Sequence, residues 1–131
     1  MLIRFFREEA FSTPNTMIIQ HCRALVQLGS CGLFIAESSG QAIGIATVSM
    51  QYGIEYGWLG EMDDLYVVPS HRGMGVAREL VVAVETFLKQ QGASGYQVTL
   101  TPHSEKTRGL REFYGKLGFS TEGREIFHRE L

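Results

Sequence analysis

An acidic strand, a glycine-containing loop and an amphipathic helix follow one another between residues 58 and 91, and this succession constrains the fold most strongly. The strand ends in four apolar residues, 65–68, and is closed by Pro69, which cannot continue a sheet ladder. From about Gly75 to Gln91, apolar residues recur at steps of three and four, as on the core-facing side of a helix. These residues are Ala77, Leu80, Val81, Val84, Phe87 and Leu88. The pattern predicts a helix packed on a sheet, which is the arrangement of an α/β domain.

Further elements are predicted on both sides of this succession. The periodicity changes near Gly32, where an N-terminal helical part gives way to a hairpin that turns at Ser39 and Gly40. The predicted strands cover residues 2–6, 33–37, 42–50, 58–68, 96–101 and 119–129, the last as a strand or hairpin. The predicted helices run from the 12–15 cluster to about 28, from 75 to 91 and from 107 to 117. The resulting order, β-α-β-β-β-α-β-α-β, is an α/β sandwich with a mixed sheet.

The composition fits a domain that needs no covalent or metal support. The 131 residues carry 12 basic and 14 acidic side chains, a formal net charge of −2, and this balance disfavours a general nucleic-acid or anionic-membrane binder. The chain has no run of about 18 apolar residues and no signal-peptide pattern. Cys22 and Cys31 lack the spacing of a zinc site or a disulfide framework. We therefore expect one cytoplasmic domain, residues 1–131, without metal, nucleic-acid or membrane partners.

The loop between the strand and the helix has the features of an anion site. Gly73 and Gly75 let backbone amides converge at the start of the helix, where the helix dipole also attracts an anion. Arg72 and Arg78 lie at the two ends of the loop. The segment lacks the lysine of a P-loop, and Arg78 stands where a dinucleotide-binding loop has its third glycine. Two interpretations of the loop remain at this point: it binds the pyrophosphate of another class of ligand, or it is an ordinary strand-to-helix turn.

Two segments resemble the signatures of one family. Residues 63–77, Asp-Asp-Leu-Tyr-Val-Val-Pro-Ser-His-Arg-Gly-Met-Gly-Val-Ala, resemble the acetyl-coenzyme A motif of the GNAT superfamily of N-acetyltransferases. Residues 110–119, Leu-Arg-Glu-Phe-Tyr-Gly-Lys-Leu-Gly-Phe, resemble its second signature, a short helix with a tyrosine before a Leu-Gly-Phe turn. The resemblance spans about residues 32–127. It implies a single N-acetyltransferase domain with a GNAT-like, mixed and mostly antiparallel sheet flanked by helices, here with a shortened N-terminal part.

The resemblance implies acetyl-coenzyme A as co-substrate and assigns residues to it. Backbone groups of Leu65, Tyr66 and Val67 would contact the pantetheine arm, and one amide would polarise the thioester carbonyl. Thr107 stands where the family often has asparagine, and its hydroxyl can still hydrogen-bond pantetheine or phosphate. Tyr114 would lie against the cofactor and is the candidate general acid for the departing thiolate. The remaining assigned residues form the loop and the first helical turn: Arg72, Gly73, Met74, Gly75, Val76, Ala77 and Arg78.

Three carboxylates precede the apolar end of the strand. Asp63 holds the position that resembles the catalytic base of polyamine-type members. Glu61 is the alternative base, because side chains two residues apart on a strand share a face, whereas Asp64 is expected on the opposite face. A solvated strand end is the other interpretation, although aspartate is uncommon in strands. A cluster of negative charge would favour a cationic amine over an acidic substrate.

The leading hypothesis is an N-acetyltransferase that transfers acetyl from acetyl-coenzyme A to a primary amine on a small cationic metabolite. Attack would be direct, in a ternary complex, since no cysteine lies near either motif. Two alternatives stay open: acetylation of a protein or peptide amine, and a non-catalytic module that binds or senses acyl-coenzyme A. A homodimer is expected from the family, and the candidate interfaces are the exposed faces of the hairpin strands and the C-terminal segment with Ile126 and Phe127.

Overall fold

The computed structural model describes residues 1–121 and 123–131 of the chain. These residues form two compact units, 1–99 and 100–131. The first unit contains helices α1 (Leu2–Glu8), α2 (Asn15–Leu25) and α3 (Val76–Gln90), strands β1 (Cys31–Ser38), β2 (Gln41–Gly53), β3 (Gly57–Val67) and β4 (Gly95–Val98), and a 3₁₀ turn at Pro69–His71. The second unit contains helices α4 (Pro102–Arg108) and α5 (Leu110–Lys116). No described helix is both long and apolar enough to cross a membrane.

The sheet has four strands in the order β1-β2-β3-β4. The β1–β2 and β2–β3 pairs are antiparallel, and the β3–β4 pair is parallel. The turn between β1 and β2 uses positive φ angles at Ser39 and Gly40, as two-residue hairpin turns of the primed types require. The predicted hairpin and the predicted mixed, mostly antiparallel sheet flanked by helices are confirmed.

Helix α3 covers one face of the sheet, as its apolar stripe predicts. Leu80, Val81, Val84 and Leu88 are all buried. The helix lies close to the strands because Gly44 presents no side chain towards it: a Cβ at Gly44 would come within 3.2 Å of Val76 Cγ1. Val76, the first residue of α3, therefore packs beside Gly44, which pairs with Val67 at the end of β3.

Gly60 is the position where this packing tolerates a side chain least. A Cβ at Gly60 would lie 2.5 Å from Leu88 Cδ2 and 3.1 Å from the Cβ of Tyr96 on the paired strand. We therefore expect Gly60→Ala to lower the free energy of unfolding by about 1–3 kcal/mol, the usual cost of overpacking a core. Gly95→Ala is the matched control, because its Cβ would lie 3.9 Å from the nearest atom. Urea unfolding of both variants checks this, and equal midpoints would contradict it.

Helix α1 covers part of the opposite face, and here the sequence-based prediction of a strand at residues 2–6 is wrong. Phe5 is buried against Ile45 and stacks on Tyr66 with ring centroids 5.1 Å apart. Leu2 and Phe6 pack against the same cluster. The spacing of Leu2, Phe5 and Phe6 is helical, but a segment this short does not separate the helical period from an apolar strand.

The C-terminal third differs from the prediction in two ways. The helix predicted over residues 107–117 is found as α5 alone, and a separate helix α4, which the sequence does not predict, precedes it and ends at Gly109, which has φ +59°. The strand predicted over residues 119–129 is absent from the described part of that segment, and residue 122 lies outside the described residues. Ile126 and Phe127 are 70% and 90% exposed, so no packing selects an extended, paired conformation for them.

Candidate functional site

A bulge in β3 gathers the three carboxylates. Thr47 pairs with Asp64 and Val48 pairs with Met62, so Asp63 is an extra residue between two ladder pairs. An extra residue of this kind interrupts the alternation of side chains along a strand. The regular pattern of alternation, which places Asp64 on the face opposite to Glu61, therefore does not hold here.

The register shows which face the carboxylates share. Thr47 and Ser49 are two apart on β2 and lie on one face, and their partners across the ladder are Asp64 and Glu61. Asp64 accepts a hydrogen bond from the Thr47 hydroxyl at 2.6 Å. The expectation that Asp64 points away from Glu61 is wrong, and the reason is the bulge, which a single sequence does not reveal.

The environments of the three carboxylates differ. Burial raises the pKa of Asp63, the charges of Glu61 and Asp64 raise it further, and hydrogen bonds from Ser49 oppose the shift. Burial also raises the pKa of Asp64, against the hydrogen bond from Thr47. Both oxygens of Glu61 accept hydrogen bonds, from Gln97 at 3.1 Å and Thr99 at 3.0 Å. Asp63 is the most solvent-accessible of the three carboxylates, and the protein around it still desolvates it enough to raise its pKa, which suits a group that takes up a proton.

The loop after β3 leads into an open helix N-terminus. Gly73 and Gly75 have φ +74° and +86°, which favour glycine. No atom of the described residues would come within 4 Å of a Cβ at either glycine, and no described side chain caps α3. The first helical hydrogen bond runs from the Glu79 N–H to the Gly75 carbonyl. The N–H groups of the preceding turn are therefore available to an anion, as at phosphate-binding helix termini.

The side chain of Arg72 turns from the loop towards the core. Its Nε donates to the Val67 carbonyl at 2.8 Å, and its Nη2 donates to Glu8 at 2.8 Å. The guanidinium lies 5.4 Å from the ring centroid of Tyr66, whose hydroxyl also donates to Glu8 at 2.9 Å. Arg72 thus ties the loop to β3 and α1, while Arg78 is exposed on the first turn of α3. Glu8 is a residue that sequence reasoning missed, because its partner lies 64 positions away.

Glu8 should stabilise the fold in a pH-dependent way. Burial raises its pKa, but hydrogen bonds from Arg72, Tyr66 and Arg4 outweigh this effect, so the pKa is lowered overall. A lowered folded-state pKa stabilises the fold above the usual glutamate pKa of about 4.3, and this contribution is lost as the pH falls through the lowered pKa. We expect Glu8→Gln to reduce the free energy of unfolding by about 1 kcal/mol at neutral pH, and by less in acid.

Urea unfolding of the Glu8→Gln variant at a series of pH values measures this effect. The matched control is Glu112→Gln, which removes an exposed helix pair with Lys116 at 2.7 Å and should change nothing measurable. A Glu8→Gln variant as stable as the wild type at neutral pH would contradict the account.

Strand β3 separates from the edge strand β4 just before Asp63. The parallel pairing of β3 with β4 ends at Met62 and Val98, whereas β3 continues to Val67. Within the described part of the first unit, residues 63–67 therefore have a strand partner on the β2 side alone. Leu65, Tyr66 and Val67 lie in this section. Tyr66 is 1% exposed, so its ring is closed to a ligand.

The second unit carries the other two predicted residues. Tyr114 is buried and contacts Phe113 and Phe119 edge-to-face, at 5.0 and 5.3 Å between centroids. Burial raises the pKa of Tyr114 to about 12, so its phenol is protonated throughout the neutral range. The hydroxyl of Thr107 donates to the His103 carbonyl one turn earlier, at 2.9 Å. Among the described residues, no group of three or more His, Cys, Asp or Glu side chains is placed to hold a metal ion.

Comparison with known proteins gives a consistent set of relatives. Aminoglycoside N(6')-acetyltransferase type 1 of Salmonella typhimurium is 27% identical over 121 residues, which are 89% of this chain and 81% of that protein. Aminoalkylphosphonate N-acetyltransferase of the same organism is 28% identical over 86 residues, 65% of this chain and 54% of that protein.

Solved structures agree in fold. The structure of AAC(6')-Iy in complex with the bisubstrate analogue CoA-S-monomethyl-acetylneamine superposes with a TM-score of 0.78 at 25% identity, covering 92% of this chain and 82% of that one. An integron cassette protein from the Cole Harbour salt marsh metagenome reaches 0.83 at 22% identity, covering 98% and 78%, and supports the fold alone. The sequence profile of the acetyltransferase (GNAT) family matches residues 2–119. The chain therefore belongs to the GNAT family of acetyltransferases and is an acyltransferase.

Proposed function

We propose that the protein transfers the acetyl group of acetyl-coenzyme A to a primary amine on a small cationic molecule. The observation that carries this proposal is the bulge in β3, which gathers Glu61, Asp63 and Asp64 immediately before an uncapped, glycine-lined helix N-terminus. Negative charge at this position attracts a cationic acceptor, and the helix N-terminus attracts the phosphates of the donor. The aminoglycoside and aminoalkylphosphonate acetyltransferases among the relatives support an amine acceptor.

The residues present fit acetyl-coenzyme A. The amides of the first turn of α3, with Gly73, Met74 and Gly75 before them, would hold the pyrophosphate, and Arg78 would add a planar guanidinium. The separation of β3 from β4 after Met62 leaves strand edge for the amide groups of the pantetheine arm. Structures of AAC(6')-Iy with coenzyme A support the same cofactor.

Three groups would carry the chemistry. Acetyl-coenzyme A supplies an acyl group activated as a thioester. Asp63 accepts the proton of the acceptor ammonium, directly or through water, so that the amine nitrogen can bond to the acyl carbon. A backbone N–H in the 65–67 section donates to the acyl oxygen as negative charge develops. As the carbon–sulfur bond breaks, Tyr114 gives its phenolic proton to the sulfur, and the second proton that the nitrogen loses in becoming an amide restores the phenol through solvent.

Asp63 suits the base better than Glu61 does. Both oxygens of Glu61 accept hydrogen bonds, from Gln97 and Thr99, so neither can receive the ammonium proton without giving up one of these contacts. Asp63 is more accessible to solvent than Glu61, and partial desolvation raises its pKa. Direct attack in a ternary complex predicts intersecting initial-rate lines, whereas an acyl-enzyme gives parallel ones.

Calorimetric titration with acetyl-coenzyme A tests the site, and Gly75→Ala is the informative variant. A side chain at φ +86° is strained by about 1–2 kcal/mol and forces the loop to shift, which we expect to weaken binding about 10-fold. Gly40→Ala is the matched control, because Gly40 has φ +76° and equally open surroundings but lies in the β1–β2 turn. Equal affinities of the two variants would contradict the assignment of the loop.

A single domain, a cytoplasmic location and a homodimer stay predictions from the sequence and the family. Light scattering of the purified protein measures the oligomeric state. A dimer that Phe127→Ser dissociates, without change in the helical circular dichroism signal, would support the interface at residues 126–127, where Phe127 is exposed.

A further inference from the structure

A cavity of about 430 Å³ lies in the first unit on the α1 and α2 side of the sheet. Its wall is mainly apolar, and its volume lies in the range of small-molecule sites, about 300–1,000 Å³. The apolar lining includes Leu2, Phe6, Met17, Ile18, Leu25 and Leu33. Neither carboxylate proposed as the base, Asp63 or Glu61, is among the lining residues that the structure describes.

Among the lining residues that the structure describes, Asp64 is the one carboxylate. Asp64 and its hydrogen-bond partner Thr47 both contribute to the wall. The described lining contains His21 but no Lys or Arg. Thr47 donates to Oδ2 of Asp64 at 2.6 Å. Among the side chains of residues 1–121 and 123–131, Thr47 is the donor to this carboxylate. A carboxylate at the edge of an apolar cavity is stabilised by a cation that binds beside it.

The cavity and the proposed base are adjacent along the chain. Asp64 follows Asp63, and the charge of Asp64 contributes to the raised pKa of Asp63. An ammonium group held by Asp64 would therefore lie beside the bulge, where the account places proton removal. The apolar lining would then hold whatever body carries the ammonium group.

We propose that this cavity is the acceptor site and that it selects a monoamine with one cationic head and an apolar body, the head bound by Asp64. The inference rests on the proposed function, because it names the acceptor class of the same reaction. A polyamine or an aminoglycoside would bring several charges and hydroxyls to a wall that is mainly apolar. Besides Asp64 and Thr47, its described lining offers Ser12, Thr13 and His21 as hydrogen-bonding side chains, and no second carboxylate for a second ammonium group.

Binding of 2-phenylethylamine, measured by calorimetry without any acetyl donor, tests the cavity independently of catalysis. Two comparison ligands isolate its features: 2-phenylethanol lacks the charge, and putrescine lacks the apolar body. We expect 2-phenylethylamine to bind at least about 10-fold more tightly than either, the usual effect of a charge-assisted hydrogen bond or of a buried ring. Absence of binding, or tighter binding of putrescine, would overturn the inference.

Two variants on α2 locate the site. Met17 lines the cavity and is 43% exposed, so Met17→Trp can fill the space without opening the core. Ile19 is 44% exposed on the same helix and is not in the lining, which makes Ile19→Trp the matched control. We expect Met17→Trp to weaken binding of 2-phenylethylamine about 10-fold or more and Ile19→Trp to leave it unchanged. Equal affinities of the two variants would overturn the placement.

Asp64→Asn then tests the head group. Asparagine can still accept the hydrogen bond from Thr47 but carries no charge to bind an ammonium group. We therefore expect the KM of the amine to rise about 10-fold or more, while the KM of acetyl-coenzyme A stays constant. An unchanged amine KM would overturn the role of Asp64. Acetylation of putrescine but not of 2-phenylethylamine would overturn the acceptor class and leave the proposed function standing. Binding of 2-phenylethylamine at the cavity without acetylation of any amine would support the site and overturn the proposed function.

Discussion

Replacing Asp63 by asparagine is expected to lower kcat for acetyl transfer by about 10²–10⁴-fold, the usual contribution of a general base. Asparagine keeps the size of the side chain and can still accept a hydrogen bond from Ser49, but it cannot take up the ammonium proton. Burial and the neighbouring charges of Glu61 and Asp64 raise the pKa of Asp63. The acid limb of the wild-type rate profile should therefore lie above the ordinary aspartate pKa of about 3.9, and the variant should lose it.

Stability measurements separate this effect from misfolding. A raised folded-state pKa means that the fold disfavours ionised Asp63. At pH values above that pKa, the ionised side chain therefore lowers the free energy of unfolding. Asp63→Asn should thus be at least as stable as the wild type at neutral pH. Glu61→Gln is the matched comparison. If Asp63→Asn left kcat and its pH profile unchanged while Glu61→Gln lowered kcat and removed the acid limb, Glu61 would be the base.

Tyr114→Phe is expected to lower kcat by about 10²-fold or more with little change in stability. The substitution removes one hydroxyl and keeps the edge-to-face contacts with Phe113 and Phe119. With a pKa of about 12, the wild-type phenol holds its proton at neutral pH and can give it to the departing sulfur. Single-turnover mixing with a saturating amine measures the chemical step directly.

Tyr52→Phe provides the control for Tyr114→Phe. Tyr52 is 71% exposed near the end of β2 and packs on Trp58 at 5.0 Å between centroids, so removing its hydroxyl should leave kcat unchanged. Equal rates in the wild type and both variants would show that the sulfur obtains its proton from water or from another group.

The features that the sequence predicts well are those with local causes. The stripe on α3 repeats over several turns, so it identifies both the helix and its buried face. Glycine is favoured at positions 73 and 75 before α3 because both residues have positive φ angles. The hairpin at Ser39 and Gly40 likewise follows from two adjacent residues.

The features that the sequence does not reveal depend on distant partners. The bulge at Asp63 is a property of how β3 pairs with β2, and the composition of β3 is compatible with a regular ladder. The contact of Glu8 with Arg72 joins residues 64 positions apart. Helix α1 is selected by the packing of Phe5 on Tyr66 more than by its own propensity. The wall of the cavity combines side chains from α1, α2 and the sheet in the same way.

The central claim is that this chain moves an acetyl group onto an amine. The most direct test incubates the purified protein with acetyl-coenzyme A and a panel of monoamines, polyamines, aminoglycosides and peptides, and measures released thiol together with the mass of each acceptor. The account predicts one N-acetylated amine for each thiol released, with small cationic amines as the acceptors. Binding of acetyl-coenzyme A without an acetylated product from any member of the panel would contradict it and favour a module that only binds acyl-coenzyme A.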